Sequence, residues 1–299
     1  MEDIGVGMEF IPPSEDMAAH ISVFNFTIWQ KKDLPLPAKS GPKIALCISN
    51  TEKFQSIQDS IKKTVPQIAV VGPVTVPYQV CAGIENLEVI FCEFTEIGFY
   101  RLFSQPASSL INGYISLLDV SIHFSQMQKE NTSKLLADLR EARDNNAKRN
   151  IIENYLRMVK KLRLPAKKTE ANLEILQKAI SLIKESKSQI KIQNICQKLE
   201  INERTLERWF QKVTGITIKQ FINISRFTLL FEVFMQKEGK ELLQEVYYLG
   251  YSDQAHAIRE FKKYSGFSPG KIVLDKFEFA NKLSDPFCKT IRSSPSSFS

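Results

Sequence analysis

At 299 residues, with 43% hydrophobic and 24% charged positions, the chain is long enough for two domains, each with a core of its own. It contains no apolar run of about 18 residues that could span a membrane, and Met1 to Pro13 carry acidic side chains where a secretory signal would be basic, so the expected location is the cytoplasm. The net charge of +7 is unevenly placed: residues 1–165 hold 18 basic and 18 acidic side chains, whereas residues 166–283 hold 20 and 14, a local excess of +6 suited to neutralising phosphates.

Residues 1–131 read as a β-rich domain. Short β-branched and aromatic runs at Ile44–Ile48, Ile68–Val71, Val74–Val80 and Leu87–Phe94 are separated by Gly, Pro and Asn punctuation. A small barrel or sandwich is the expected architecture. Phe24, Phe26, Trp29, Tyr78, Phe91, Phe94, Phe99 and Tyr100 are candidates for a pocket lining, with core packing as the alternative.

From Thr132 the period becomes helical. Leu135, Leu136, Leu139 and Ala142 share one face, and Ile151, Ile152, Tyr155, Leu156, Val159 and Leu162 follow at the same spacing. Residues 132–165 are therefore a helical segment that either closes the first domain or pairs two subunits, ending in a linker at Pro165. In the domain 166–283 the chain reads as helical beyond Glu170 to about Leu274, with Leu173, Leu176, Ile180 and Ile183 on the first stripe, and the Ser- and Pro-rich residues 284–299 are expected to be disordered. The whole is an α+β chain: a β-rich barrel or sandwich with trailing helices, then an all-α domain.

The helical domain contains an internal repeat at an offset of 51 residues. Ile195 matches Val246, Asn202 matches Asp253, Arg208 matches Arg259, Phe210 matches Phe261, Lys212 matches Lys263, Gly215 matches Gly266 and Thr217 matches Ser268. Each copy reads as a helix-turn-helix. In the first, Ile192, Ile195 and Leu199 face inward, Asn202 caps the next helix, Leu206 and Phe210 bury it, and Gly215 stops it. In the second, Leu243, Val246 and Leu249 face inward, Gly250 makes the turn, Asp253 caps, Phe261 is buried and Gly266 stops the helix. The apolar run Phe221–Met235 between them reads as a buried helix that fixes their separation.

With Leu206 and Phe210 inward, Arg204, Glu207 and Arg208 lie near the outer start of the first reading helix; Gln254, Ala255, Ile258 and Arg259 occupy the comparable places in the second. Arginine can hold guanine by two parallel hydrogen bonds, and glutamate can accept from cytosine. Lys212 and Lys263 are placed to contact phosphate. The alternative for these side chains is a solvated helix face with local salt bridges. Double-stranded DNA is the expected partner.

The run Gly250-Tyr251-Ser252-Asp253-Gln254-Ala255-His256, continued by Arg259-Glu260-Phe261-Lys262-Lys263 and Gly266-Phe267-Ser268-Pro269, resembles the second-repeat signature of the AraC family of bacterial transcription regulators. Leu206, Arg208, Phe210, Gly215 and Arg226 agree with the first repeat, and residues 8–160 more loosely resemble the family's sensor domain. The resemblance implies a transcription regulator, often an activator and often a homodimer, whose first domain senses a small-molecule effector or a partner and which controls RNA polymerase at promoters. Ala257 stands where the family usually has a bulkier core residue, which predicts a less tightly packed second reading helix; Ile218 replaces a common proline, and Glu200 a small turn residue.

Two other classes compete. A barrel-type enzyme would need clustered histidines and carboxylates, but residues 1–165 offer only His20 and His123, far apart. The odd set Cys47, Cys81, Cys92, Cys196 and Cys288 contains no metal-type pair, so no cofactor, metal or catalytic residue is expected. A helical protein-interaction module without DNA reading is the second rival, separable by the salt dependence of DNA binding.

Overall fold

The computed structural model describes residues 8–29, 33–49, 54–58, 61–82, 86–120, 126–162, 167–236 and 239–269. Ten strands come first: β1 (Met8–Ile11), β2 (Ile21–Trp29), β3 (Asp33–Leu36), β4 (Lys43–Cys47), β5 (Phe54–Gln58), β6 (Ile61–Thr64), β7 (Ile68–Val71), β8 (Tyr78–Ala82), β9 (Leu87–Phe94) and, after helix α1 (Gly98–Phe103), β10 (Tyr114–Ser116). They form an antiparallel six-stranded sheet in the order β1-β2-β9-β4-β7-β10 and an antiparallel four-stranded sheet in the order β3-β8-β5-β6.

The larger sheet is covered on both faces, which is why β4 and β9 carry apolar runs without alternation at Ile44–Cys47 and Val89–Cys92. One face, with Trp29, Ala45 and Phe91, meets Leu36, Phe54 and Val80 of the smaller sheet. The other, with Phe24, Phe26, Leu46 and Ile90, is covered by α1 and by two longer helices, α2 (Gln126–Glu141) and α3 (Asn145–Lys161). Leu135, Leu139, Ile152, Tyr155, Leu156 and Val159 all enter this core, so the stripe that suggested subunit pairing is spent within the chain. Glu153 follows it into the interior, where its carboxylate accepts from the Ser14 backbone N–H at 2.8 Å and from Arg157 at 3.0 Å, stapling α3 to the turn between β1 and β2. The sequence run Val74–Val80 is not one strand: Val74 makes an isolated bridge to Lys39, and pairing resumes only at Tyr78, because Pro77 has no N–H to give the ladder.

Six helices follow: α4 (Lys167–Glu185), α5 (Ile192–Leu199), α6 (Glu203–Thr214), α7 (Ile218–Gln236), α8 (Gly239–Tyr248) and α9 (Gln254–Ser265). Their core gathers Leu173, Leu176, Ile180 and Ile183 of α4 around Phe210, Phe221 and Phe261. It also takes in Ala38, Ile97 and Tyr100 from the first domain, so the two domains share apolar surface. The linker at Pro165, the side chain of Leu243, the helix expected to reach Leu274 and the tail 284–299 lie outside the described residues.

Candidate DNA interface

In the first helix-turn-helix, α5 ends with Glu200 in the left-handed region at φ 51°, and the Ile201 N–H closes back on the Cys196 carbonyl at 3.1 Å. The Asn202 side chain then accepts from the Arg204 N–H at 2.9 Å and starts α6. In the second, Gly250 takes the turn at φ 80°, the Tyr251 N–H reaches the Val246 carbonyl at 3.2 Å, and Asp253 accepts from the His256 N–H at 2.7 Å.

These closing bonds refine the repeat. The ends of α5 and α8 correspond at an offset of 50, since Ile201 pairs with Cys196 as Tyr251 pairs with Val246. One extra residue, Ser252, sits in the second turn, and the offset of 51 holds from Asn202 and Asp253 onward. It extends to a pair the sequence reading passed over. Thr214 donates to the Phe210 carbonyl at 2.9 Å and Ser265 to the Phe261 carbonyl at 2.7 Å, each hydroxyl also bonding two residues ahead. Both reading helices then stop at a left-handed glycine, Gly215 at φ 87° and Gly266 at φ 88°.

Leu206, Phe210, Val213, Ala257 and Phe261 are fully buried. Opposite them, Arg204, Arg208 and Lys212 are exposed and stand four residues apart, one straight ridge of cations along α6. Ala255, Arg259 and Lys263 form the same ridge on α9, also exposed, with alanine in the place of Arg204. Gln254 is exposed beside it at the start of the helix. Two expected readers are drawn back. Ile258 is half-buried, and Glu207 is half-buried with its carboxylate accepting from the Ile218 N–H at 3.4 Å, where it caps α7. Burial first of all raises the Glu207 pKa above the ordinary carboxylate value.

The looser packing expected from Ala257 is not what the second unit shows. The Phe261 ring is met by Phe227, Phe231, Phe234 and Phe267 with centroids 5.1–5.9 Å away. Arg226 of α7 adds a polar tie, lying 3.5 Å from Glu260 and 5.0 Å from the Tyr251 ring.

A cavity of about 420 Å³ opens where the strand ends of the larger sheet meet α7. Of the aromatic candidates, Tyr78 and Phe94 line it, whereas Phe24, Phe26 and Phe99 pack beneath the helices. Its walls also include Leu36, Lys39, Lys43 and Glu93 from the first domain and Lys184, Ser225, Phe227, Thr228 and Phe231 from the second. Lys39 is paired with Glu93, and Lys184 with Glu96 at 2.6 Å. Lys43 is buried, with its ammonium 4.9 Å from the Phe91 ring; burial, and then repulsion from Lys39, lowers its pKa to about 8. Glu93 Oε1 and Ser225 Oγ are buried with no hydrogen-bond partner among the described residues. Among those residues no three His, Cys, Asp or Glu side chains gather as metal ligands, and no helix is long and apolar enough to cross a membrane.

Comparison with known proteins adds to this geometry. A family model described as a helix-turn-helix domain matches residues 195–273. No curated protein matches the chain. Among solved structures, ToxT from Vibrio cholerae O395 is 14% identical, with a TM-score of 0.46 over 84% of this chain and 97% of that one. Wild-type ToxT from Vibrio cholerae strain SCE256 with unsaturated fatty acid bound is 12% identical, with a TM-score of 0.47 over 85% and 95%. The AraC-like transcriptional activator CuxR is 14% identical, with a TM-score of 0.33 over 74% and 80%. By the family model, residues 195–273 belong to a helix-turn-helix domain of the AraC type, a DNA-binding unit.

Proposed function

We propose that the chain is a sequence-specific regulator that lays α6 and α9 into successive major grooves of double-stranded DNA under the control of a small molecule bound between its two domains. The observation that carries the DNA reading is the cationic ridge repeated on both helices at one offset, Arg204-Arg208-Lys212 against Ala255-Arg259-Lys263. Contacts about 10 base pairs apart follow from the helical repeat of DNA. Arg208 and Arg259 read bases, Gln254 pairs with adenine, and Lys212 and Lys263 hold phosphates. Replacing Arg208 by alanine is expected to cost about 1–3 kcal/mol of specific binding and to relax preference at one base pair, whereas replacing Lys263 weakens all sequences alike. Selected-sequence binding on the unaltered chain and on the Arg208→Ala and Gln254→Ala variants tests this. Unchanged preference in both would overturn the placement.

The effector reading rests on the cavity: an apolar lining and a buried ammonium at Lys43. This suits an apolar molecule with an acidic group, and the fatty acid in one ToxT structure has that chemistry. Lys43→Met, which keeps length and removes charge, should abolish the thermal stabilisation that medium-chain carboxylates give the unaltered protein. Equal stabilisation of both would place the ligand elsewhere.

The same reading puts the protein in the cytoplasm, where it activates transcription through RNA polymerase and carries out no catalysis of its own. A homodimer would use surfaces other than the stripe of Ile152, Tyr155, Leu156 and Val159, which is buried within the chain. Sedimentation of the full chain measures that state.

A further inference from the structure

We propose that the first-domain segment Pro73–Pro77 is the spacer that fixes the separation of the two reading helices and thereby selects the distance between the two DNA contacts. This rests on the reading that α6 and α9 both enter DNA. Gly215 and Gly266 end the two helices at equivalent positions of the repeat; Gly215 lies against the Ala107 backbone with Pro73 beside it, and Gly266 lies against Pro77. A Cβ on Gly215 would fall 2.8 Å from the backbone C and O of Ala107 and 3.1 Å from Pro73 Cγ. A Cβ on Gly266 would fall 3.3 Å from Pro77 Cγ. Beside the second seat, the Ala38 N–H donates to the Tyr264 carbonyl at 2.9 Å, satisfying an acceptor that the last turn of α9 leaves open.

The segment is held stiffly between its two ends. Val74 and Lys39 exchange both backbone hydrogen bonds at 2.8 Å. The Asn112 side chain accepts from the Thr75 N–H at 2.7 Å and donates to the Thr75 hydroxyl at 2.9 Å, and the Asn112 N–H donates to the Pro73 carbonyl at 2.9 Å. A proline at each end fixes φ. Four residue steps extend at most about 14 Å, so the two seats cannot drift apart.

Within the helical domain α7 and the core shared with α4 hold the two units together, and the segment adds a first-domain contact at the end of each reading helix. With it, α6, α7, α9 and the first domain form a closed ring, and the separation of the readers is set from two sides. Val74 and Ala38 also line the cavity, so an occupant rests against the middle of the spacer.

The test measures binding of the full chain to its selected DNA site and to sites with one, two or three base pairs added or removed between the two contacts. The unaltered chain should lose roughly tenfold or more for two base pairs. Asn112→Gly, which tolerates the positive φ of 53° at this position but releases Thr75, should reduce that penalty at least threefold while largely keeping affinity for the optimal site. The Pro73→Gly/Pro77→Gly double variant should reduce it further, and Asn112→Gly stands as the test if the double variant does not fold. Spacing profiles identical to the unaltered chain in folded variants overturn the spacer alone. Absence of any sequence preference in the unaltered chain overturns the reading by α6 and α9, and the spacer with it.

Discussion

In the first helix-turn-helix the turn is made by Glu200 at φ 51° and the reading helix is held mainly by aliphatic contacts and one ring, Phe221, 5.4 Å from Phe210. In the second the turn is made by Gly250 at φ 80°, carries the additional Ser252, and leads to a helix locked by four rings around Phe261 and by Arg226 against Glu260. The outer ridges differ the other way, with three cations on α6 and two on α9. Firmness of packing and density of outer cations are thus divided between the copies. The first unit has the richer reading surface on a strained turn; the second has fewer cations on a firmer base.

The largest expected effect separates the two cores. Phe261→Ala should destabilise the protein by about 4–5 kcal/mol and Phe210→Ala by about 3–4 kcal/mol, because emptying a site ringed by aromatics forfeits both burial and ring contacts. Urea unfolding measures both, and a larger cost at Phe210 would break the comparison.

The caps give an intermediate effect with a sign in pH. Asn202→Ala should cost about 1 kcal/mol at any pH, since an amide does not titrate. Asp253 is different: its bond from the His256 N–H, then that from Ser252, hold its pKa below the ordinary value. A depressed carboxylate contributes stability above the unfolded value near 3.9 and loses it as pH falls through the folded value. The protection factor of the His256 amide, taken against the intrinsic exchange rate at each pH, should therefore fall below about pH 4 while that of Arg204 is kept.

The turns should show the smallest effect, in opposite directions. Glu200→Gly relieves a left-handed conformation worth about 1 kcal/mol and loses part of that to the freer unfolded chain, for a net gain of a few tenths of a kcal/mol. Gly250→Ala should cost about 1 kcal/mol, and the cost is conformational, because a Cβ there would meet only the Gln189 side chain at 3.7 Å. Paired thermal melts check the signs.

Much of this was legible in the sequence because it is local. Caps, stop glycines and the inward positions of α6 and α9 follow from spacing and side-chain chemistry alone. The strands that pair into continuous apolar runs, β4, β7 and β9, were visible for the same reason. The polar and short strands β5, β6 and β10 were not, since they depend on partners far along the chain rather than on composition. The orientation of Glu207 was equally hidden: whether it faces a groove or the start of α7 is decided by where residue 218 comes to lie. The cavity needed both domains in place, and no spacing in the sequence joins Glu93 to Ser225.

Phe227 and Phe231 of α7 line the cavity and also stand 5.8 and 5.5 Å from the Phe261 ring. The two rings therefore serve at once as cavity wall and as foundation of the second reading helix. On the function proposed above, a lineage that altered either ring to accept a new effector would disturb the second helix's hold on DNA in the same step, and the two changes would combine non-additively. Ser225 and Thr228 face the same cavity without joining the ring cluster. On the same reading they are the positions at which effector preference can drift while the DNA-binding helices stay as they are.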